Sequence, residues 1–410
     1  MKGGLNPSSS KRGLACHCVQ PHAMRARLAE RSSQCCALKA DTWMTDNDRA
    51  QSTSPRIPAD QLHACVRAIW QQAGSAPREA ELVADHLVAA NLTGHDSHGV
   101  GMIPRYVASL ADGQLQLNLH AEVVKDAGAV LTVEGCKGFG QVVAFEAMEQ
   151  GIARAQRIGI CAVGLRDAHH IGRIGHWAEQ CARAGLVSFH FVNVAGDPLV
   201  APFGGADRRI GTNPFCAAYP RPGKPPLVLD FATSTVAYGK TRVAYNQGKQ
   251  VPPGALIDDQ GVPTVDPTVM HEAPFGSLTP FGGHKGFGLA AMCEIFSGAL
   301  AGGFTTHADT LGTTNAIINC MLSVIIDPAA FDAPAAQAEA DAFIEWVKAS
   351  PLAAGAERIY EPGEPERVMR AQREAEGIPI DAATWTQICS AALAVGMSAD
   401  DIAHWSGFLK

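Results

Sequence analysis

The chain has 410 residues, a formal net charge of -7 at pH 7 and no long basic run. Nucleic-acid and membrane-surface binding are therefore not expected, because both usually need a concentrated Lys/Arg patch. Hydrophobic residues make up 47% of the chain and charged residues 18%, which is typical of a compact globular protein, and no apolar run reaches the roughly 18–20 residues of a membrane span.

Residues 1–57 differ in composition from everything that follows. They are rich in Ser, Arg, Gln and Cys without a sustained apolar period, which predicts a disordered extension. Met44 is an alternative start, which would make residues 1–43 a misassigned segment; an Arg-rich organellar targeting segment is the competing interpretation. Neither a signal peptide nor a membrane span is recognisable, so a cytoplasmic location is predicted.

The cysteines predict neither a disulfide framework nor a standard zinc finger. Eight of the twelve lie in apolar stretches after residue 58, as buried free thiols do. Those in the N-terminal segment leave a zinc site as the less favoured alternative: Cys16, Cys18, Cys35 and Cys36.

Residues 58–125 predict a helical region. Apolar residues recur at three- and four-residue spacing from Pro58, and further helices are predicted over about 77–91 and 103–111. Between these two lies a loop containing Asp96-Ser97-His98-Gly99.

Residues 126–290 predict an α/β domain. Strands are expected over 129–133, 160–165, 186–192 and 226–231, and helices over 141–156 and 175–184. A loop-rich segment, 235–285, precedes an apolar helix over about 286–301. Residues 291–410 are predicted to be mainly helical and to pack back on the N-terminal part.

Standard dinucleotide signatures are missing. Gly135-Cys136-Lys137-Gly138-Phe139-Gly140 follows a strand and precedes a helix. Its spacing is not that of G-x-G-x-x-G, and no acidic residue follows at the expected distance. A tight turn with helix–sheet packing explains this segment equally well.

Two histidine-containing segments are candidates for chemistry. His98 supplies an imidazole with a pKa near neutrality, as a proton acceptor for a hydroxyl requires, and Ser97 could orient it or relay to it. The alternative is a helix cap with an incidental histidine. In His169-His170-Ile171-Gly172-Arg173-Ile174-Gly175-His176, Arg173 could pair with a carboxylate; metal binding is an alternative, but no suitably spaced carboxylate supports it, and no metal is predicted.

Three further segments could complete one site. Thr212 lies in Gly211-Thr212-Asn213-Pro214, and Lys240 follows Asp230-Phe231-Ala232-Thr233-Ser234. The glycine-rich start of a helix at Gly282-Gly283-His284-Lys285-Gly286 is suited to bind a phosphate. Each segment alone could be a turn.

Together these motifs resemble the malate/L-lactate dehydrogenase-like oxidoreductases, from about residue 58 to the C-terminus. The resemblance implies a non-Rossmann α/β fold with a helical N-terminal part, a central mixed-sheet cofactor domain and a helical C-terminal part. It also implies a homodimer, with NAD favoured as cofactor and NADP possible. By resemblance His98 is the proton donor and acceptor, Ser97 its relay partner, and Thr212 a substrate neighbour. The cofactor-binding set that it implies comprises His98, Gly172, Arg173, Ile174, Val228, Leu229, Asp230, Phe231, Ala232, His284, Asn319, Gly363, Glu364, Pro365 and Glu366.

The chain departs from the family pattern at positions that concern the substrate. Many members have an Arg where this chain has Met102, and a small residue where it has Arg173. We therefore expect Arg173 to bind the substrate carboxylate and Met102 to form an apolar wall beside a larger side chain. Asp167-Ala168 replaces a frequent Asn-Ser. Lys240 stands where imine-reducing members have Asp.

The expected activity is interconversion of 2-hydroxy and 2-oxo carboxylic acids by hydride transfer, aromatic or bulky side chains included. A cyclic imino acid reductase and a catalytically silent nicotinamide-binding relative are the alternatives. The side chain of the substrate, its stereochemistry and the physiological direction are not determined by these residues.

Overall fold

The structure, a computed structural model, describes residues 55–196, 198–311 and 316–406. The predictions for residues 1–54, including the four clustered cysteines, lie outside the described residues. Strand β1 (Arg56–Ile57) pairs antiparallel with β12 (Ile378–Pro379), and Ile57 is fully buried. The predicted extension therefore ends too late, because Arg56 and Ile57 already belong to the fold.

Three helices form the N-terminal part, as predicted. They are α1 (Ala59–Ala73), α2 (Pro77–Leu92) and α3 (Ile103–Ala111). The apolar stripe of α1 is buried, and the helix ends at Gly74, whose left-handed φ of 107° suits glycine. Two 3₁₀ turns, Asp96–His98 and Val100–Met102, connect α2 to α3.

A seven-stranded mixed sheet lies at the centre. Its order is β2-β3-β4-β11-β5-β6-β7; β3 and β4 are parallel and the other neighbours antiparallel. This order is not that of a Rossmann sheet, which confirms the expected fold class. The strands are β2 (Glu122–Asp126), β3 (Val130–Glu134), β4 (Ile160–His169), β5 (Val187–Ala195), β6 (Phe215–Tyr219), β7 (Leu227–Phe231) and β11 (Ile318–Ile326).

The central strand β11 comes from the region that the sequence predicted to be mainly helical. It pairs with β4 and β5 along its length, and Cys320, Met321 and Ile325 are buried. The predicted boundaries near 125 and 290 therefore cut through one sheet. Helices α4 (Gly140–Ile158) and α5 (Gly175–Arg183) pack on this sheet and share its apolar core.

A smaller unit precedes β11 and has a core of its own around Leu256 and Leu278. It contains α6 (Tyr238–Asn246), β8 (Leu256–Ile257), β9 (Pro263–Thr264), α7 (Thr268–His271) and β10 (Ser277–Leu278). Helix α8 (His284–Cys293) follows and continues as a π-helix, Glu294–Leu300.

The C-terminal helices return to the N-terminal part. They are α9 (Ala336–Lys348), α10 (Glu364–Glu376), α11 (Ala382–Ala394) and α12 (Ala399–Ser406). Trp385, Ile388 and Trp405 lie in the same buried cluster as Leu62 and Ile69 of α1. Within the described residues, no helix combines the length and apolarity needed to cross a bilayer.

Candidate active site

The segment that carries His98 is anchored by buried polar contacts. The Asn91 side chain donates to Asp96 at 2.6 Å and accepts the Val100 amide at 2.8 Å. Asp96 also pairs with Arg373 of α10 at 2.7 Å. A Cβ at Gly99 would lie 2.2 Å from the Asn91 Oδ1 atom, so this close approach requires glycine. Asp96 therefore fixes the turn that presents His98.

The ring of His98 is hydrogen-bonded on one side only among the described residues. Its Nδ1 atom lies 3.2 Å from Nε2 of His170, and the two rings stack with their centroids 5.3 Å apart. Nε2 of His98 has no hydrogen-bond partner in the described part of the chain. Burial, followed by the charges of His95 and Arg173, lowers the pKa of His98 to about 4, so the free ring is neutral at pH 7.

Ser97 does not take the predicted relay position. It is exposed and forms no hydrogen bond with the part of the chain that the structure describes. The ring partner of His98 is instead His170, which follows β4. The sequence placed His170 in a notable motif but contained no signal that it would meet His98, 72 residues earlier.

A buried chain of polar groups continues behind His170. Its Nδ1 atom lies 2.6 Å from the Tyr106 hydroxyl, and the amide nitrogen of Gln141 donates to the same hydroxyl at 3.0 Å. Burial lowers the pKa of His170 and raises that of Tyr106. Both groups are therefore neutral at ordinary pH.

Two side chains from distant elements, Asn319 and His86, shape the turn Gly172–Ile174. The Ile171 amide donates to Asn319 of β11 at 3.0 Å, and the Arg173 amide donates to Nε2 of His86 at 2.9 Å. The Asn319 side chain also donates to the Asn193 carbonyl. Asn319 thus supports the turn from behind, where the resemblance implied a cofactor contact.

Arg173 is not presented to an open surface. Its side chain is 3% exposed and lies 2.8 Å from the carboxylate of Glu179 and 3.4 Å from that of Asp230. Asp230 also accepts the Gly175 amide at 2.9 Å. Because two internal carboxylates already neutralise the guanidinium, this geometry does not favour the expected contact with a substrate carboxylate.

Two predicted cofactor segments do meet. The Val228 amide of β7 donates to the Pro362 carbonyl at 3.2 Å, and Gly363, at a left-handed φ of 83°, packs against Val228. Leu229 is exposed and Phe231 and Ala232 are half-buried beside this junction.

The start of α10 leads from this junction back to the segment that carries His98. Glu366 lies 3.5 Å from His95, Glu364 is buried in an ion pair with Lys348 at 2.8 Å, and Pro365 is exposed. The 363–366 segment therefore connects β7 to the neighbourhood of His98.

Two of the remaining predicted residues flank the segment that carries His98. A Cβ at Gly239 would lie 3.0 Å from Cβ of Ser97, so the start of α6 packs on this segment. Lys240, the next residue, is exposed and makes no ion pair with a described residue. Met102 is half-buried against the N-terminal core rather than fully open.

Thr212 and His284 are not brought into direct contact with His98. The Thr212 carbonyl accepts from Thr233 at 3.0 Å, which fixes the turn of Thr212 beside the end of β7. His284 is exposed at the start of α8, with its ring 5.9 Å from that of Phe203. The structure thus gathers His98, Gly172–Ile174, β7 and 363–366, and leaves His284 at a separate helix start.

A second group of ionisable side chains was not predicted. His63, Glu81 and Asp85 place ligand atoms within 4.8 Å of one another beside a cleft of about 650 Å³. His63 pairs with Asp85 at 3.0 Å, and Arg67 with Glu81 at 3.4 Å. These groups form surface ion pairs between α1 and α2.

The glycine motif Gly135–Gly140 serves as a turn between β3 and α4. A Cβ at Gly140 would lie 2.3 Å from the His169 carbonyl oxygen. Glycine therefore lets α4 begin against the end of β4, and this placement brings Gln141 to Tyr106. The structural interpretation of this motif accounts for its glycines.

Comparison with known proteins identifies the family. The family model for malate/L-lactate dehydrogenase matches residues 57–389. Hydroxycarboxylate dehydrogenase B of Escherichia coli K12 is 57% identical over 343 residues, 83% of this chain and 95% of that protein. The L-lactate dehydrogenase of Cupriavidus necator is 39% identical over 312 residues, 75% of this chain and 89% of that protein.

Solved structures agree with this assignment. Sulfolactate dehydrogenase from Methanocaldococcus jannaschii has a TM-score of 0.76 at 29% identity, over 84% of this chain and 99% of that one. A Δ1-piperideine-2-carboxylate reductase from Pseudomonas syringae has a TM-score of 0.71 at 30% identity, over 82% of this chain and 99% of that one. The chain belongs to the malate/L-lactate dehydrogenase family.

Proposed function

We propose that this protein is an NAD(P)-dependent oxidoreductase that interconverts 2-hydroxy and 2-oxo carboxylic acids, with His98 as proton donor and acceptor. The observation that carries the proposal is that the neutral ring of His98 is hydrogen-bonded at only one of its two nitrogens among the described residues. Its Nδ1 atom is held by His170, and its Nε2 atom has no described partner. A ring fixed in this way is suited to exchange a proton with a substrate oxygen.

In the oxidative direction, Nε2 of His98 removes the hydroxyl proton of the 2-hydroxy acid. A nicotinamide cofactor held by this protein would supply the acceptor for the hydride that leaves the carbinol carbon. In the reductive direction, the His98 imidazolium returns the proton to the carbonyl oxygen. A pKa of about 4 in the free protein favours the base form, and a bound carboxylate would raise this pKa.

The donor groups of the structure fit an anionic dinucleotide. Helix α8 has no side-chain cap, Gly282 and Gly283 precede it with left-handed backbones, and a Cβ at Gly282 would meet no atom within 4 Å. The amides of its first turn, together with His284 and Lys285, would bind phosphate oxygens. Gly172–Ile174, the strand residues 228–232 and the 363–366 turn would hold the rest of the cofactor, NAD by preference.

Lys240 is the cation that we assign to the substrate carboxylate. It is exposed, has no described ion-pair partner and lies next to Gly239, which packs on Ser97. Arg173, the residue expected from the sequence, is already paired with Glu179 and Asp230. Thr212 and Met102 would line the substrate region farther from the charge.

A homodimer and a cytoplasmic location remain part of the proposal. Large apolar side chains are exposed on α9, where Phe343 is 61% and Trp346 75% exposed. Adjacent exposed aromatic residues are a frequent mark of a subunit interface. Sedimentation velocity of the full chain tests this, because a mass of one chain at micromolar concentration would contradict it.

The reaction class is tested by initial rates of NADH and NADPH oxidation. The substrates are pyruvate, oxaloacetate, 2-oxoglutarate, phenylpyruvate and piperideine-2-carboxylate. Turnover of a 2-oxo acid supports the proposal. Turnover of the cyclic imine alone would make the protein an imine reductase, for which the only observation is the fold shared with the Pseudomonas reductase. Cofactor binding without any turnover would indicate a silent relative.

A further inference from the structure

The groups behind His98 form a continuous hydrogen-bonded chain, from His98 through His170 and Tyr106 to Gln141. Its separations are 3.2 Å, 2.6 Å and 3.0 Å. Its last three members are buried. They come from three parts of the fold: His170 directly follows β4, Tyr106 lies in α3 and Gln141 lies in α4. No step of the reaction assigned above uses Tyr106 or Gln141.

A neutral imidazole carries one N–H and one lone pair, so the chain can point in only two directions. If Tyr106 donates to Nδ1 of His170, then Nε2 of His170 donates to Nδ1 of His98, and the proton of His98 lies on Nε2. If Nδ1 of His170 donates to Tyr106 instead, Nδ1 of His98 donates to His170. The lone pair of His98 Nε2 then faces the substrate.

Only the second direction allows His98 to become an imidazolium. When Nε2 of His98 takes the hydroxyl proton, both ring nitrogens carry hydrogen, and the Nδ1–H group needs an acceptor. His170 offers its Nε2 lone pair only when its own proton is on Nδ1 and is donated to Tyr106. In the first direction two N–H groups would face each other at 3.2 Å.

The orientation of the Gln141 amide, at the far end of the chain, decides between the two directions. Nε2 of Gln141 donates to Tyr106, while its Oε1 atom is buried without a hydrogen-bond partner among the described residues. The two ends of a carboxamide are nearly equal in size. A half-turn of the amide would place Oε1 against the Tyr106 hydroxyl, which would then donate to Oε1 and accept from His170.

We propose that Tyr106 and Gln141 are positioning residues that determine which ring nitrogen of His98 carries its proton. This inference rests on the proposed function of His98 as the acid/base residue. With its amide reversed, Gln141 accepts from Tyr106 and Tyr106 accepts from His170. The proton of neutral His98 then stays on Nδ1, and its Nε2 atom is left open. The ionisable groups nearest to the two rings, whose titration must be separated from that of His98, are His95, Arg173, His169, Arg105 and His86.

The test is the tautomer of His98, observed by long-range ¹H–¹⁵N NMR on the full chain labelled in histidine. We expect the Nδ1–H form in the unmodified protein. In Tyr106→Phe, a proton on Nδ1 of His170 would be a buried donor without an acceptor. We therefore expect His170 to place its proton on Nε2, and His98 to change to the Nε2–H form.

Rates supply a second readout that loss of packing alone would not reproduce. In Tyr106→Phe and Gln141→Leu, we expect the apparent pKa of 2-oxo acid reduction to fall by about one unit, with about tenfold slower oxidation and an unchanged KM for the cofactor. Tyr245→Phe is the matched control, because its exposed hydroxyl contacts Glu272 on the surface. Melting temperatures establish whether each variant is folded. If Tyr106→Phe does not fold, the His98 tautomer and the rates of Gln141→Leu test the inference instead.

An unchanged His98 tautomer in the folded variants would overturn the inference. So would an Nε2–H form of His98 in the unmodified protein. The NMR experiment needs no turnover. If the protein reduced no 2-oxo acid, the proposed function would fail while the assignment of Tyr106 and Gln141 would still be decided.

Discussion

Nδ1 of His98 lies 3.2 Å from Nε2 of His170, whereas Nε2 of His98 has no hydrogen-bond partner among the described residues. The first prediction concerns the pH dependence of the proposed reaction, in which His98 exchanges a proton with the substrate. Reduction needs the imidazolium, whereas oxidation needs the neutral ring. Because burial lowers the pKa of His98 to about 4, we expect kcat/KM for reduction to fall about tenfold per pH unit above that pKa, and kcat/KM for oxidation to be level above about pH 5. A reductive profile that is level up to pH 7 would contradict the proposed role of the ring.

The second prediction separates Arg173 from Lys240. Replacing Arg173 with alanine leaves the partly buried carboxylates of Glu179 and Asp230 without their cation. We expect a loss of about 3–5 kcal/mol in the free energy of unfolding, measured with urea. Lys240→Ala should leave stability within about 0.5 kcal/mol, since the side chain is exposed.

The same two variants differ in their kinetics. Removing a charged contact to the substrate carboxylate costs about 1.5–3 kcal/mol, so Lys240→Ala should raise KM for a 2-oxo acid by roughly 10–100-fold. The KM for NADH should stay constant. If KM for the 2-oxo acid rose in Arg173→Ala and not in Lys240→Ala, the sequence-based expectation for Arg173 would be right after all.

The elements of the fold differ in how well the sequence predicts them. Helix α3 was predicted with its observed bounds, because a short amphipathic run between a turn and a loop specifies its own length. Strand β11 was missed, since an isolated apolar run does not reveal that it pairs with β4 and β5. Its position between strands far earlier in the chain is a property of the sheet order.

The residues of the candidate site likewise fall into those that the sequence indicated and those that only the structure brings together. His98 was singled out from a short motif, whereas β7 and the 363–366 turn entered the candidate site through the family resemblance. The partner of His98 and the carboxylates around Arg173 depend on how β4, α5 and β7 meet. Arg173 and Glu179 are six residues apart, a spacing that brings no two residues of one helix together. They meet because Arg173 precedes α5 and its side chain extends along the first turns of this helix to Glu179.

The third prediction concerns the turn that precedes α5. Gly172 has a φ of 73°, and a Cβ there would lie 2.1 Å from Nε2 of His86. Gly172→Ala should therefore displace His86, break its hydrogen bond with the Arg173 amide and raise the Kd for NADH. Gly185→Ala is the matched control, with a φ of 81° and no atom within 4 Å of the added Cβ.

Backbone strain alone should cost about 1–2 kcal/mol in the control variant. The Gly172 variant should lose about 1–3 kcal/mol more, because it also leaves a buried amide without its acceptor. Urea unfolding and NADH fluorescence titration measure the two effects. Equal losses in stability and equal Kd values would show that His86 does not shape this turn.

The fourth prediction concerns stability in acid. His190 is fully buried between the hydroxyls of Ser188 and Ser323, and burial lowers its pKa to about 3. The unfolded chain then binds a proton near pH 6.5 that the native protein does not bind. Stability from this group is therefore fully present above pH 6.5 and is lost as the pH falls from there towards 3.

From pH 7 to pH 5 this single group should reduce the free energy of unfolding by about 2 kcal/mol. In His190→Gln the difference between the two pH values should shrink by that amount. Urea titrations at both pH values provide the measurement. An identical pH difference in the two proteins would mean that His190 does not contribute.

The most direct test of the proposed chemistry is turnover by His98→Ala with cofactor binding measured on the same sample. The account predicts a loss of about 10²–10⁴ in kcat for the best 2-oxo acid, with the Kd for NADH within about twofold of the unmodified value. His120→Ala is the control, because that exposed ring pairs only with Glu146 among the described residues. Retention of kcat in His98→Ala would contradict the account, since another group would then move the proton.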